Sequence, residues 1–162
     1  MRTIRLRLHV PDKPASDVYA TLADFERYPE LSDAVRSVAV TEVSENRTVS
    51  RWEVTFRAGL LRWTEEDTFD PGALSITFRQ LEGDAAVFDG SWQCLGAAPG
   101  SEILFSARLD MGIPSLADAL EPIAARTLTD NIVSIVRGLT GRAELVASDV
   151  AVPAPDPAGS AS

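Results

Sequence analysis

Two acidic residues, Glu65 and Asp67, stand two positions apart in the segment Arg62-Trp63-Thr64-Glu65-Glu66-Asp67-Thr68-Phe69. In an extended strand alternate residues share a face, so both acids would join Trp63 and Phe69, with their Cα atoms roughly 6 to 7 Å apart. An acid on an apolar face is desolvated unless it is paired, hydrogen-bonded or protonated, and two such neighbours can titrate as a coupled pair with one pKa raised. Such a pair supplies a carboxylate to take an activated proton from between two carbonyls. It also supplies a carboxylic acid to protonate a carbonyl or a departing hydroxyl. Trp63, Trp92 and Phe88 could stack a flexible apolar substrate so that one carbon meets one carbonyl. Plainer readings stand beside these. The acids could pair with a buried arginine or face solvent, and Trp52, Trp63 and Trp92 could be core. Asn131 and Gln80 could donate to a ligand carbonyl or satisfy nearby backbone.

The composition narrows the class. In 162 residues, 45% are apolar and 24% charged, a mixture suited to one globular domain. No apolar run is long enough to span a membrane, and the N-terminus lacks the basic head and continuous apolar stretch of an export signal, so a cytoplasmic location is expected. Cys94 and His9 are the sole cysteine and histidine, which leaves no set of metal ligands of that type. A net charge of -9 disfavours nucleic acid as a partner. The acid/base chemistry above needs neither metal nor organic cofactor. Cys94 reads as a small apolar filler, and His9 as a solvated strand residue.

Periodicity orders the elements. Ile4, Leu6, Leu8 and Val10 alternate with polar residues and predict a strand over 3–10. Pro14, Val18, Leu22 and Phe25 predict a helix over about 14–25, and Tyr28-Pro29-Glu30-Leu31 a short helical turn. Six alternating segments follow, at about 35–43, 48–57, 60–69, 74–82, 86–95 and 101–110, separated by turn signals such as Asp70-Pro71-Gly72. From Ser115 to about Leu145 the period becomes helical, with Leu116, Leu120, Ile123, Leu128, Ile132, Ile135, Val136 and Leu139 in one stripe interrupted by Pro122. This is an α+β layout: an antiparallel sheet of about seven strands gripping one long C-terminal helix, with a cavity between them. The domain is expected to span 1–146, and the Pro/Ala-rich residues 147–162 to form a disordered tail. Gly112-Ile113-Pro114, between last strand and helix, is a candidate lid.

A turn at Arg57-Ala58-Gly59-Leu60 would set Phe56 opposite Leu61, Val54 opposite Trp63 and Trp52 opposite Glu65. The other face would pair Arg51 with Glu66 and Thr55 with Arg62. A turn at Asp70-Pro71-Gly72-Ala73 would pair Phe69 with Leu74, Asp67 with Ile76, Glu65 with Phe78 and Trp63 with Gln80. The next strand adds Phe88, Gly90, Trp92 and Cys94 to the same inner face.

The chain resembles the START-like (SRPBCC) superfamily of polyketide cyclases and dehydrases, and in particular the single-domain aromatase/cyclases of bacterial polyketide pathways. The resemblance rests on Pro14 with Val18-Tyr19, Tyr28-Pro29-Glu30-Leu31, Arg62-Trp63-Thr64, Ile76 to Glu82, Gly90-Ser91-Trp92 and Asn131, and covers residues 3–142. It implies the helix-grip (START/Bet v 1-like) fold and a cavity for a hydrophobic, polyketide-like molecule. It also implies a cofactor-independent cyclisation or dehydration, with Trp63, Trp92, Phe88, Phe78, Gln80, Asn131, Tyr28 and Trp52 as substrate-binding candidates.

The chain departs from that family in its polar residues. Where the aromatase/cyclases carry an arginine four residues after the strand tryptophan, this chain has Asp67; a tyrosine of theirs is matched by Val35, and a pocket histidine of some members by Ala107 or a neighbour. Two readings follow. The first is an enzyme of natural-product maturation that uses Asp67 and Glu65 as acid/base pair for aldol-type cyclisation or dehydration. The second is a non-catalytic carrier of a lipid, quinone or polyketide. An acyl carrier protein is a possible partner, through an arginine patch such as Arg126, Arg137 and Arg142, and the chain could act as monomer or homodimer.

Overall fold

The computed structural model describes residues 1–56, 59–112 and 117–151. Arg57 and Ala58 of the expected first hairpin turn, Ile113 and Pro114 of the candidate lid, and residues 152–162 of the expected tail lie outside them, as do Ser115 and Leu116. The elements run β1 (Arg2–Val10), α1 (Ala15–Ala23), a short 3₁₀ turn (Phe25–Arg27), α2 (Tyr28–Leu31), β2 (Val35–Ser44), β3 (Arg47–Phe56), β4 (Gly59–Asp70), β5 (Ser75–Gly83), β6 (Val87–Gly96), β7 (Ser101–Asp110), α3 (Ala117–Thr140) and β8 (Glu144–Ala151). The strands form one antiparallel sheet in the order β2-β3-β4-β5-β6-β7-β1-β8. The helix-grip fold expected from the alternating segments is therefore present, with an eighth strand added.

That eighth strand is a correction. Residues 144–151 were expected to end the long helix and begin a disordered tail; they pair antiparallel with β1, with a bulge at Arg7/Leu8. The helix stops at Thr140 because Gly141 adopts φ +85° and its N–H bonds back to the Arg137 carbonyl at 2.9 Å, the C-terminal glycine stop. Such a strand end also satisfies the otherwise open backbone edge of β1.

Both hairpin registers are shifted from expectation, β3–β4 by two residues and β4–β5 by two from Asp70 to Glu65, beyond which a bulge at Thr64/Glu65 sets Trp63 opposite Gly83 instead of Gln80. Phe56 pairs with Gly59, Val54 with Leu61 and Trp52 with Trp63, because the β3–β4 connection has two residues instead of four. On the outer face Arg51 thus lies opposite Thr64, and Arg62 opposite Glu53. The β4–β5 turn includes Leu74, which takes φ 52°, so pairing begins at Asp70 with Ser75 and sets Asp67 opposite Phe78 and Glu65 opposite Gln80. A slip of two preserves every face, so the inner surface keeps its expected members.

Inside the curve lie Ile4, Leu6, Leu8 and Val10 of β1 and the Ala124, Ala125, Leu128, Ile132, Ile135, Val136 and Leu139 stripe of α3, all buried. Ile123, expected in that stripe, is exposed, since Ala124 and Ala125 take the inward positions. On β1, His9 faces the polar side and bonds the Pro99 carbonyl at 2.7 Å. Two glycines permit close approach. A Cβ on Gly138 would lie 2.1 Å from the Leu31 carbonyl, so α3 can rest on the end of α2 only without a side chain there. A Cβ on Gly90 would meet the Ser106 carbonyl at 2.0 Å and the Phe78 ring at 2.9 Å, so the bare backbone makes room for that ring.

Gly138→Ala is expected to lower unfolding stability by about 1 to 3 kcal/mol, because helix and α2 must separate. Urea denaturation measures it, and an unchanged midpoint would show that the helix has room to shift.

Candidate functional site

Alternation in β3 and β4 builds the site. Thr48, Ser50, Trp52 and Val54 point inward from β3, and Leu61, Trp63, Glu65 and Asp67 from β4, with Thr48 directly opposite Asp67 and Trp52 opposite Trp63. The two tryptophan rings stack parallel, centroids 5.8 Å apart. Trp63 also meets the edge of Phe88 at 5.2 Å, and Trp52 meets Phe25 and Tyr28 at 5.1 and 5.3 Å. These rings, with Phe78, Trp92 and Phe105 of the sheet and Leu128, Asn131, Ile132 and Ile135 of α3, surround a narrow cavity of about 50 Å³. Among the described residues Glu65 is the one carboxyl on its wall.

The polar chemistry lies along one hydrogen-bonded chain. Asp67 has no exposed surface, and its Oδ2 accepts from Thr48 Oγ1 at 2.8 Å and Ser50 Oγ at 2.6 Å. The Ser50 hydroxyl accepts in turn from the Trp52 indole N–H at 2.8 Å, while the Trp63 indole N–H donates to Glu65 Oε1 at 2.6 Å. Asp67 Oδ1 has no donor if both acids are ionised. Burial pushes the Glu65 carboxyl well above its ordinary range, with the hydrogen bond to Asp67 and the Asp67 charge acting in the same direction. A proton on Glu65 would supply the donor that Asp67 Oδ1 lacks.

The remaining expected residues separate into two groups. Trp52, Trp63, Phe78, Phe88, Trp92, Tyr28 and Asn131 line the cavity. Tyr28 does so as a wall: its hydroxyl donates to the Leu22 carbonyl at 2.6 Å, and burial raises its pKa well above the ordinary value. Asn131 Nδ2 donates to the Thr55 carbonyl at 2.7 Å, tying helix to β3. Gln80 and Asp67 do not line the cavity. Gln80 Nε2 is committed to the Ala85 carbonyl at 2.8 Å, and Asp67 stands behind Glu65. Cys94 is buried, and desolvation pushes its thiol up to about 12. Phe25, Phe105 and the hydroxyls of Thr48 and Ser50 escaped the sequence reading; a serine and a threonine on the inward parity of β3 were the available signal. Among the described residues no group of three or more His, Cys, Asp or Glu side chains converges on one point.

The model for the family described as polyketide cyclase / dehydrase and lipid transport matches residues 11–135, and this chain belongs to that family. Over 123 residues it is 29% identical to the actinorhodin polyketide synthase bifunctional cyclase/dehydratase of Streptomyces coelicolor. That alignment takes in 71% of this chain but only 38% of the relative, so the chain spans well under half of that protein. Among solved structures, a Thermus thermophilus protein superposes with TM-score 0.77 at 25% identity, covering 86% of this chain and 94% of its own. The Zhui aromatase/cyclase of Streptomyces superposes with TM-score 0.71 at 18% identity over 87% of this chain and 90% of its own, a likeness of fold. Among the described residues no helix is long and apolar enough to cross a membrane.

Two outcomes follow from the buried acids. Ser50→Ala strips Asp67 of a donor and Trp52 of its acceptor, and is expected to cost about 1 to 3 kcal/mol in urea unfolding. The second concerns pH. Glu65 keeps its proton on folding although its ordinary pKa is 4.5, so its contribution is whole below that value and is lost as pH rises through the folded pKa. Glu65→Gln preserves a donor toward Asp67 and an acceptor for Trp63 without a titrating proton. The wild type should therefore lose stability relative to this variant by up to about 1.4 kcal/mol per pH unit from about pH 5 upward. A stability difference independent of pH would show that Glu65 is ionised in the folded protein.

Proposed function

We propose that the protein binds a hydrophobic, polyketide-like molecule in the aromatic cavity and catalyses its aldol-type cyclisation or dehydration. The observation that carries this reading is a buried carboxyl, Glu65, on the wall of a largely apolar cavity with a second buried acid, Asp67, two residues along the same strand, an arrangement that raises the Glu65 pKa. Polyketide chemistry fits it because neighbouring carbonyls make the intervening C–H acidic and need a proton delivered to oxygen as the new bond forms. Glu65 takes the carbon-bound proton while its own proton passes to Asp67. The carbon then attacks a carbonyl, and the reverse movement puts a proton on the oxygen formed. For dehydration the returning proton leaves with the hydroxyl as water. The pair begins and ends with one proton, and no cofactor enters.

Asp67 acts through Glu65 and is a positioning residue in this scheme, since it does not reach the cavity. The stacked Trp52 and Trp63 rings, with Phe88 and Phe78, hold the chain folded. An acidic pair in place of a basic pocket residue gives proton transfer, and the proton that Glu65 has taken from carbon is the one then delivered to the carbonyl oxygen.

Mass-spectrometric product analysis of a poly-β-ketone thioester surrogate tests this. The wild type is expected to redirect the surrogate to a cyclised or dehydrated product, and Glu65→Gln to lower the rate by about 100-fold or more while quenching of tryptophan emission still reports binding. Equal rates for both would overturn the role of Glu65. Binding without any change of product distribution would favour the carrier reading, which the nearly all-apolar cavity wall also suits.

A further inference from the structure

A second, open pocket lies beside the cavity, and one side chain joins it to the buried acids. It is lined by Tyr19, Asp24 and Glu26 of the first helical segment, by Glu42 and Glu45 of the β2–β3 hairpin, and by Phe69 and Thr48. Phe25 belongs to both pockets: its ring packs against Trp52 and Tyr28 on the cavity side and against Phe69, centroids 5.5 Å apart, on the outer side. Among the described residues Thr48 is the one that lines the outer pocket and hydrogen-bonds the acid pair, donating to Asp67 Oδ2 at 2.8 Å. Ser50, the other hydroxyl on that oxygen, is fully buried and already occupied by the Trp52 indole.

We propose that Thr48 is the proton port of the Glu65–Asp67 pair, exchanging its proton with solvent through the outer pocket and not through the substrate cavity. In the inward step Thr48 Oγ1 gives its proton to Asp67 Oδ2 as it takes one from water in the outer pocket. In the outward step the hydroxyl turns, accepts from protonated Asp67 and releases its own proton to water. Each transfer breaks one O–H bond and makes one. The route matters because a bound apolar substrate fills the cavity and shuts off water on that side. A pair that reloads from behind can reset with the cavity occupied. Exposed Asp24, Glu26, Glu42 and Glu45 make the mouth of the outer pocket polar and open to water. This inference rests on Glu65 being the protonated partner described above.

Infrared spectroscopy after rapid mixing of the whole protein into D₂O tests it without turnover. A protonated Glu65 gives a carboxylic C=O band that shifts on deuteration and disappears in Glu65→Gln; the rate of the shift is the rate of exchange. Thr48→Val is expected to keep the band and slow its shift at least 10-fold, and Thr48→Ser to restore the wild-type rate. A further variant, Phe25→Leu, which loosens the wall between the pockets, should leave the Thr48→Val rate slow if solvent does not reach the pair from the cavity. An unchanged rate in Thr48→Val overturns the port while leaving the protonated pair intact. A wild-type spectrum without a band lost in Glu65→Gln overturns the protonated pair itself, and the port with it.

Discussion

Asp67 is a carboxylate with no exposed surface on the concave side of a sheet, and the arrangement around it answers the desolvation that this position imposes. The Thr48 and Ser50 hydroxyls meet one of its oxygens, and Glu65, whose pKa this neighbourhood raises, lies two residues along the strand. Removing the charge from Glu65 is the larger part of the solution, because two ionised carboxylates side by side in a medium of low polarity would repel strongly. The orientation of two cavity walls follows from the same network. Trp52 is held through Ser50 and Trp63 through Glu65, so the acids set the tilt of the parallel ring pair as well as the local charge.

The cavity exists because the sheet bends around α3 while large rings fill only part of the space beneath it. Gly138 lets the helix sit against α2, and Gly90 lets Phe78 turn under β6, so backbone contacts set the depth of the cavity. The outer face of the sheet has a different character. Its ion pairs, such as Arg47 with Glu66 at 2.8 Å and Arg62 with Glu53 at 3.1 Å, are largely solvated and contribute little to stability. They keep the outer face polar and leave the concave face as the only place for the apolar alternates, which is how the pattern chooses a side.

Much of the fold and part of the site were legible in the order of residues. Alternation in β1 and β3 to β7 and the 3.6-residue period of α3 assign each side chain to a face, and that assignment survives a slip of two residues because the side-chain period of a strand is two. Hence Trp52, Trp63, Glu65, Phe78, Phe88 and Trp92 were placed on one surface correctly although both hairpin registers were displaced. The acids also announced themselves, since a Glu and an Asp on an aromatic face need an explanation before any coordinates are known.

Tertiary structure decided what local pattern cannot carry. The length of the β3–β4 connection and the left-handed Leu74 fix which residues face one another, and these are properties of turn geometry. Strand β8 depends on a partner edge in β1, more than a hundred residues away in the chain, and its own residues lack the clear alternation that would reveal it. Depth was equally hidden. Residues on one face share a direction, but only the curvature of the sheet and the position of α3 bring Glu65 to the cavity wall and leave Asp67 behind it, tied to Thr48 and Ser50. The sequence by itself thus determined that this is an acid-bearing aromatic surface beneath a helix. Which acid lies on the cavity wall was settled by packing, because burial and hydrogen bonding are sums over neighbours that lie far apart in the chain.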